Sequence, residues 1–172
     1  MSKNNAIVIS EKTHQWLFPF ILATLFSIVP YDAQAAVFVW NNTGSQFTSA
    51  TSWVGGVAPA STSSSTTTDD LQFGNIGANF NTVDLTSNRS EKSWTFLTGA
   101  NAYTFGTTSA KYFQISAGLT NNSTATQTFN LLVENANASN TWTQVSGGNM
   151  VFNNNVGLTT AASSTARTLT LA

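Results

Sequence analysis

From Val37 onward, apolar and polar residues alternate in short runs separated by Asn, Gly, Ser and Thr. In "TVDLT", Val83 and Leu85 fall on one side of an extended chain and Asp84 on the other. "YTFG" and "FQIS" repeat the arrangement with Tyr103 and Phe105, then Phe113 and Ile115. A period of two places one face in a core and leaves the other wet. Runs of this kind, rich in aromatic and β-branched residues, occupy 37–40, 71–73, 82–85, 94–97, 103–105 and 112–115. Others occupy 128–133, 150–152, 156–158 and 168–171. Turn-rich intervals between short strands, at spacings of about eight to twelve residues, predict an all-β fold, and no helix is predicted in this region. In "TFNLLVE", Thr128 to Glu134, the apolar positions are nearly continuous, which predicts burial on both faces or a bulge.

The first 35 residues follow another pattern. Lys3 and Lys12 flank a single acid, Glu11, and an apolar run then extends from Trp16 to Val29. Pro30 and the small-residue pattern Ala33-Gln34-Ala35 follow. The three parts read as an export signal cleaved after Ala35. The run is shorter than the roughly 17 residues a membrane-spanning helix needs, and Pro19 interrupts it.

Removing that segment changes the chemistry. The sole histidine, His14, leaves with it, and the chain has no cysteine. Mature protein therefore lacks the means for a Ser-His-Asp or Cys-His nucleophile, a His-ligated metal or a disulfide framework. Charged residues make up 8% of the chain, against about a quarter in an average domain. Asn, Ser and Thr stand in their place, short side chains that suit turns and strand surfaces. The bases Arg89, Lys92, Lys111 and Arg167 are scattered, so no stripe exists to hold a nucleic acid. The order along the chain is thus a signal at 1–35, a Trp/Gly-rich cap with a Ser/Thr loop at 36–69, and β-strand repeats at 70–172. The tract "ASTSSSTTT" at 60–68 reads as a solvated loop.

Composition alone fits two architectures. One is an antiparallel β-sandwich. The other is a parallel β-solenoid, in which each coil buries its neighbour's apolar face and like polar residues stack from coil to coil.

Five residue sets carry candidate chemistry. Trp40, Trp53 and Trp94 can offer an aromatic platform on which an extracellular glycan stacks, or they can be the largest pieces of a small core. Gly55 and Gly56 fit a tight turn beside them, and Pro59 ends the pairing. Trp142, like Trp94, sits in a strand-like run and reads as core. Asp69-Asp70 is the sole adjacent carboxylate pair, with Asp84, Glu91 or Glu134 as further partners for glycoside hydrolysis or calcium. Adjacent strand residues point to opposite faces, so the pair is not expected to converge, and no catalytic, cofactor or metal residue is assigned. Asn-x-Ser/Thr triplets begin at Asn41, Asn88, Asn121, Asn122 and Asn137 and matter only in a host that glycosylates them.

Taken in order, Trp40, Trp53-Val-Gly55-Gly56, Pro59, the Asp pair and "LQFG" resemble the opening of secreted bacterial proteins with autotransporter-associated β-strand repeats. "AYTF" (Ala102 to Phe105), "GLTNNSTATQTFN" (Gly118 to Asn130), "NTWTQVSGGNMVF" (Asn140 to Phe152) and "LTL" (Leu169 to Leu171) are similar to that family's successive units. The resemblance implies a right-handed parallel β-helix with an N-terminal cap, exported and displayed at a bacterial surface, with further repeats following. It implies a non-enzymatic structural or adhesive module whose partners are an extracellular glycan or a cell surface, with no cofactor. The membrane would be met only through the export machinery. Two alternatives are a carbohydrate-binding β domain using Trp40, Trp53 or Trp94, and a fragment of a β-helical polysaccharide lyase.

Overall fold

Parallel strand ladders build the structure, a computed structural model that describes residues 35–60, 69–75, 81–106, 111–136, 139–145, 147–157 and 168–172. The export-signal reading at 1–34, the tract at 61–68, the triplet at Asn137 and Arg167 lie outside the described residues.

Among the described residues twelve strands follow one another. They are β1 (Val37–Val39), β2 (Asp70–Phe73), β3 (Thr82–Val83), β4 (Arg89–Phe96), β5 (Thr104–Phe105), β6 (Tyr112–Asn121) and β7 (Thr126–Phe129). After them come β8 (Leu132–Asn135), β9 (Ser139–Gln144), β10 (Asn149–Phe152), β11 (Val156–Gly157) and β12 (Thr168–Leu171). Among the described residues the helical content is one 3-10 turn, Ala50–Ser52. No helix there is long and apolar enough to cross a membrane.

An eight-stranded sheet runs β1-β2-β4-β6-β8-β11, with β9 joining β6 to β12, and a four-stranded sheet runs β10-β7-β5-β3. Every ladder between these strands is parallel. Parallel neighbours cannot be hairpins, so the chain must travel round and return one rung further on. The antiparallel sandwich is excluded on that ground. The fold is a parallel β-solenoid.

The period is visible in the polar bonds between rungs: Asn121 meets Gln144 at a separation of 23 residues and Tyr103 meets Gln127 at 24. Long β6 serves two sides of the coil. Its first part, Tyr112 to Ile115, pairs with β8, and its second, Gly118 to Asn121, pairs with β9. In β4 the register shifts between Glu91 and Ser93 at the equivalent place. Asn140 braces this corner, donating from Nδ2 to the Ile115 carbonyl at 3.0 Å and to Asn135 Oδ1 at 3.2 Å.

Stacked rungs align like side chains. Leu71, Trp94, Leu119 and Trp142 are register partners on one side. Val83, Phe105, Phe129 and Phe152 are partners on another, and Phe113, Val133 and Val156 on the third. All are buried except Phe152 and Val156, which pack half-buried against the rest. Outward positions carry threonine: Thr95, Thr120 and Thr143 form one column and Thr82, Thr104 and Thr128 another. Branching at Cβ suits a pleated surface that is half covered by its neighbours.

The "TFNLLVE" stretch is neither a two-sided strand nor a bulge. It contains the turn from β7 to β8, and alternation runs through that turn unbroken. Gln127, Phe129, Leu131, Val133 and Asn135 point inward while Leu132 is half-exposed. Gly106, with φ +74°, makes room for Leu131: a Cβ there would lie 2.9 Å from Leu131 Cδ2.

The segment after β1 closes one end of the core. Trp40 and Trp53 form an isolated antiparallel bridge, and the Val54 amide donates to the Val39 carbonyl at 2.8 Å. The Trp53 indole N–H donates to the Phe47 carbonyl at 2.7 Å. Trp53 then lies edge-on to Trp40 at 5.1 Å and to Phe47 at 5.0 Å, and Phe47 stacks on Trp94 at 6.0 Å.

Candidate functional site

The three tryptophans proposed as a platform are wholly inside. Relative exposure is 0% for Trp40, 1% for Trp53 and 0% for Trp94. No ring face is open to a sugar, so the platform reading of these residues is corrected: aromatic area this large is worth more in a small core than on its surface. Trp142 is likewise core.

The acidic pair diverges, as strand geometry requires. Asp70 faces Lys92, whose Nζ donates at 3.1 Å, and accepts a short hydrogen bond from the Ser93 hydroxyl. Asp69, the residue before it, feels the charges of Arg89, Glu91 and Asp70. Glu134 accepts from Gln114 Nε2 at 2.8 Å on a third side. Among the described residues no three His, Cys, Asp or Glu side chains gather to hold a metal.

What the pattern of apolar runs missed is a buried charge cluster at the start of β4. Alternation places Arg89 and Glu91 on one face, two residues apart, and both are fully buried. Arg89 Nε lies 3.5 Å from Glu91 Oε1. Its Nη2 donates to the Pro59 carbonyl at 2.8 Å, and its guanidinium carbon sits 4.7 Å from the centre of the Phe47 ring. The Arg89–Glu91 contact is an ion pair and not a well-formed hydrogen bond, so both Glu91 carboxyl oxygens, Arg89 Nε and Ser90 Oγ are buried without a hydrogen bond. A charged residue inside is rare unless paired, so no hydropathy rule marks Arg89-Ser-Glu91 as inward. The signal was the i, i+2 spacing of opposite charges next to a strand.

Electrostatics follow the burial. Loss of water raises the Glu91 carboxyl to about 8, against the opposing pull of Arg89. Burial also raises Asp69 and lowers Arg89 from their ordinary values. An acid closed off from water at both oxygens cannot reach a glycosidic bond, so the cluster offers no acid–base pair to a polysaccharide. Tyr103 is a second buried polar group. Its hydroxyl donates to the Gly74 carbonyl at 2.5 Å, and burial pushes its ionisation to about 12.

Three of the described Asn-x-Ser/Thr asparagines serve the fold, Asn88 by accepting from the Tyr112 amide at 3.4 Å. Asn121, fully buried, donates from Nδ2 to the Ala125 carbonyl, Gln144 Oε1 and the Asn149 carbonyl at 3.0 to 3.2 Å. Its Oδ1 accepts from the Ser123 amide at 3.0 Å. Asn41 holds the Thr51 carbonyl and the Thr43 hydroxyl.

The fold and this arrangement define a β-solenoid whose described tryptophans and Arg89–Glu91 pair are turned inward. No family model, curated protein or solved structure matches the chain.

Proposed function

We propose that the chain is a non-enzymatic structural or adhesive module, exported and displayed outside a bacterium, in the manner of an autotransporter passenger. One observation carries the reading: the outward columns of hydroxyl side chains, such as Thr95, Thr120 and Thr143, repeat rung after rung. Such a column spreads weak, uncharged contacts along an extended surface at the strand spacing of about 4.8 Å. The inward turn of every proposed platform tryptophan and of the Arg89–Glu91 pair removes the features that a single binding or catalytic pocket would use. The resemblance to autotransporter-associated repeats supports the export and the display.

The test is fractionation of cells expressing the native gene, with an antibody raised to 36–172, joined to a panel of glycans offered to the purified protein. Protein held at the cell surface, with adhesion spread over many weak contacts and no glycan turned over, supports the reading. Retention in the cytoplasm, or turnover of any glycan, overturns it.

A further inference from the structure

On β4, β6, β9 and β12, the outward residues that flank Trp94, Leu119, Trp142 and Leu171 fall into two columns. One runs Ser93, Gly118, Thr141 and Thr170, and the other Thr95, Thr120 and Thr143. Rungs stand about 4.8 Å apart, and the columns, two residues apart along a strand, about 6.6 Å. Gly118 interrupts the first column, where a Cβ would lie 3.1 Å from the Thr141 carbonyl oxygen. Thr141 and Thr170 are exposed, and Thr95, Thr120 and Thr143 are half-buried. In the cap, the Thr43 hydroxyl is taken up by Asn41 Oδ1 and the Thr51 carbonyl. Among the described residues nothing takes up the hydroxyls of Thr95, Thr120, Thr141 and Thr143. At the cap end of the face Lys92 and Asp70 neutralise each other at 3.1 Å, and the side chains of both columns are uncharged.

Given the reading of the outward columns as the adhesive surface, we propose that the partner of this face is ice. Three observations select crystalline water. A ladder of parallel strands presents its hydroxyls at two fixed repeats, which suits a partner periodic in the same two directions. The oxygen rows on the prism face of hexagonal ice have two repeats of similar size at right angles. Lack of charge on the columns gives no hold on an ionic or phosphate-bearing surface. A sugar polymer is gripped largely by aromatic faces, and the aromatic residues of these stretches, Trp94, Phe96 and Trp142, are all inside. What remains outside is methyl and hydroxyl in alternation. The methyl groups order the water lying over them, and the hydroxyls fix that water by hydrogen bonds. Such a layer joins a growing crystal without having to be stripped away. Each contact is weak, and the rungs bring them to bear together.

The test adds the purified full chain to polycrystalline ice in buffered saline held just below melting. Grain growth is followed by microscopy, and far-ultraviolet circular dichroism checks the fold of every variant. The chain is expected to arrest grain growth and to shape single crystals into facets. Thr120→Lys and Thr141→Lys each break one column with a long charged side chain, and each is expected to abolish the arrest with the β spectrum unchanged. Thr104→Lys, at a half-buried threonine of the four-stranded sheet, is expected to keep it. If Thr120→Lys does not fold, the exposed Thr141→Lys decides. Grain growth unaffected by the folded chain would overturn the proposal. So would arrest that survives in both column variants, or that is lost equally in Thr104→Lys. Binding to an insoluble polysaccharide that the column variants lose, with no effect on ice, would give the face to a glycan instead. Export and display are tested by cell fractionation, which depends on none of these outcomes, so the two readings fail separately.

Discussion

The Phe105 and Phe129 rings lie stacked, 5.1 Å apart and 12° from parallel, and Phe129 stacks in turn on Phe152 at 4.9 Å and 11°. Each ring stands one rung from the next, so the strand spacing itself sets the stack. Removing the central ring breaks both contacts and leaves a void between rungs. Phe129→Ala is expected to destabilise the fold by about 3–5 kcal/mol, read from a denaturant midpoint. Phe129→Leu, which keeps most of the volume, should lose clearly less; equal losses would mean that volume does not matter at this site.

Tyr103 gives a pH prediction with a definite sign. Its folded ionisation, pushed up to about 12, exceeds the ordinary value of 10.0. Its contribution is therefore fully present below pH 10 and is lost as pH rises through about 12. Phenolate absorbance should show one tyrosine titrating late, together with loss of the β spectrum. Tyr103→Phe removes the late titration and leaves the buried Gly74 carbonyl without its donor, at about 1–3 kcal/mol.

Gly106 and Gly55 separate two reasons for glycine. Both have positive φ, but an added Cβ meets Leu131 at Gly106 and open space at Gly55. Gly55→Ala should carry the backbone cost of about 1–2 kcal/mol, and Gly106→Ala should exceed it. Thermal melts of the two variants check the order; a Gly106→Ala no worse than Gly55→Ala would remove the packing argument.

Asn121 is expected to escape glycosylation in the folded protein although its sequence permits the modification, because its side chain has no exposure. Asn121→Ala leaves the polar groups around it unsatisfied and should destabilise by about 2–3 kcal/mol. Peptide mapping after expression in a glycosylating host checks the first outcome and chemical denaturation the second.

Alternation made most of the strands legible. "TVDLT", "YTFG" and "FQIS" each carry the inward residues the structure uses, and 168–171 has the same bounds in both. Three features were hidden for physical reasons. The "SNTWTQ" strand, β9, was legible through Trp142, but its inward Asn140 was not, because a corner asparagine takes a position that elsewhere holds an apolar residue. The turn at Asn130 and Leu131 carries neither Gly nor Pro of its own; its permissive residue, Gly106, belongs to the rung before it. The Arg89–Glu91 pair defeats any rule that reads charge as surface. For Trp40, Trp53, Trp94 and Trp142 the core reading of the sequence holds: all four go inside.

The recurring separation of about two dozen residues between partners has a consequence for how such a chain acquires its shape. Each rung pairs its backbone with the neighbouring rung, and the ladder contacts join segments close in sequence. Growth can follow emergence from a narrow passage, with each new turn laid down on the last as it appears. The Trp40–Trp53 bridge, formed between residues thirteen apart, offers an early foundation for that growth.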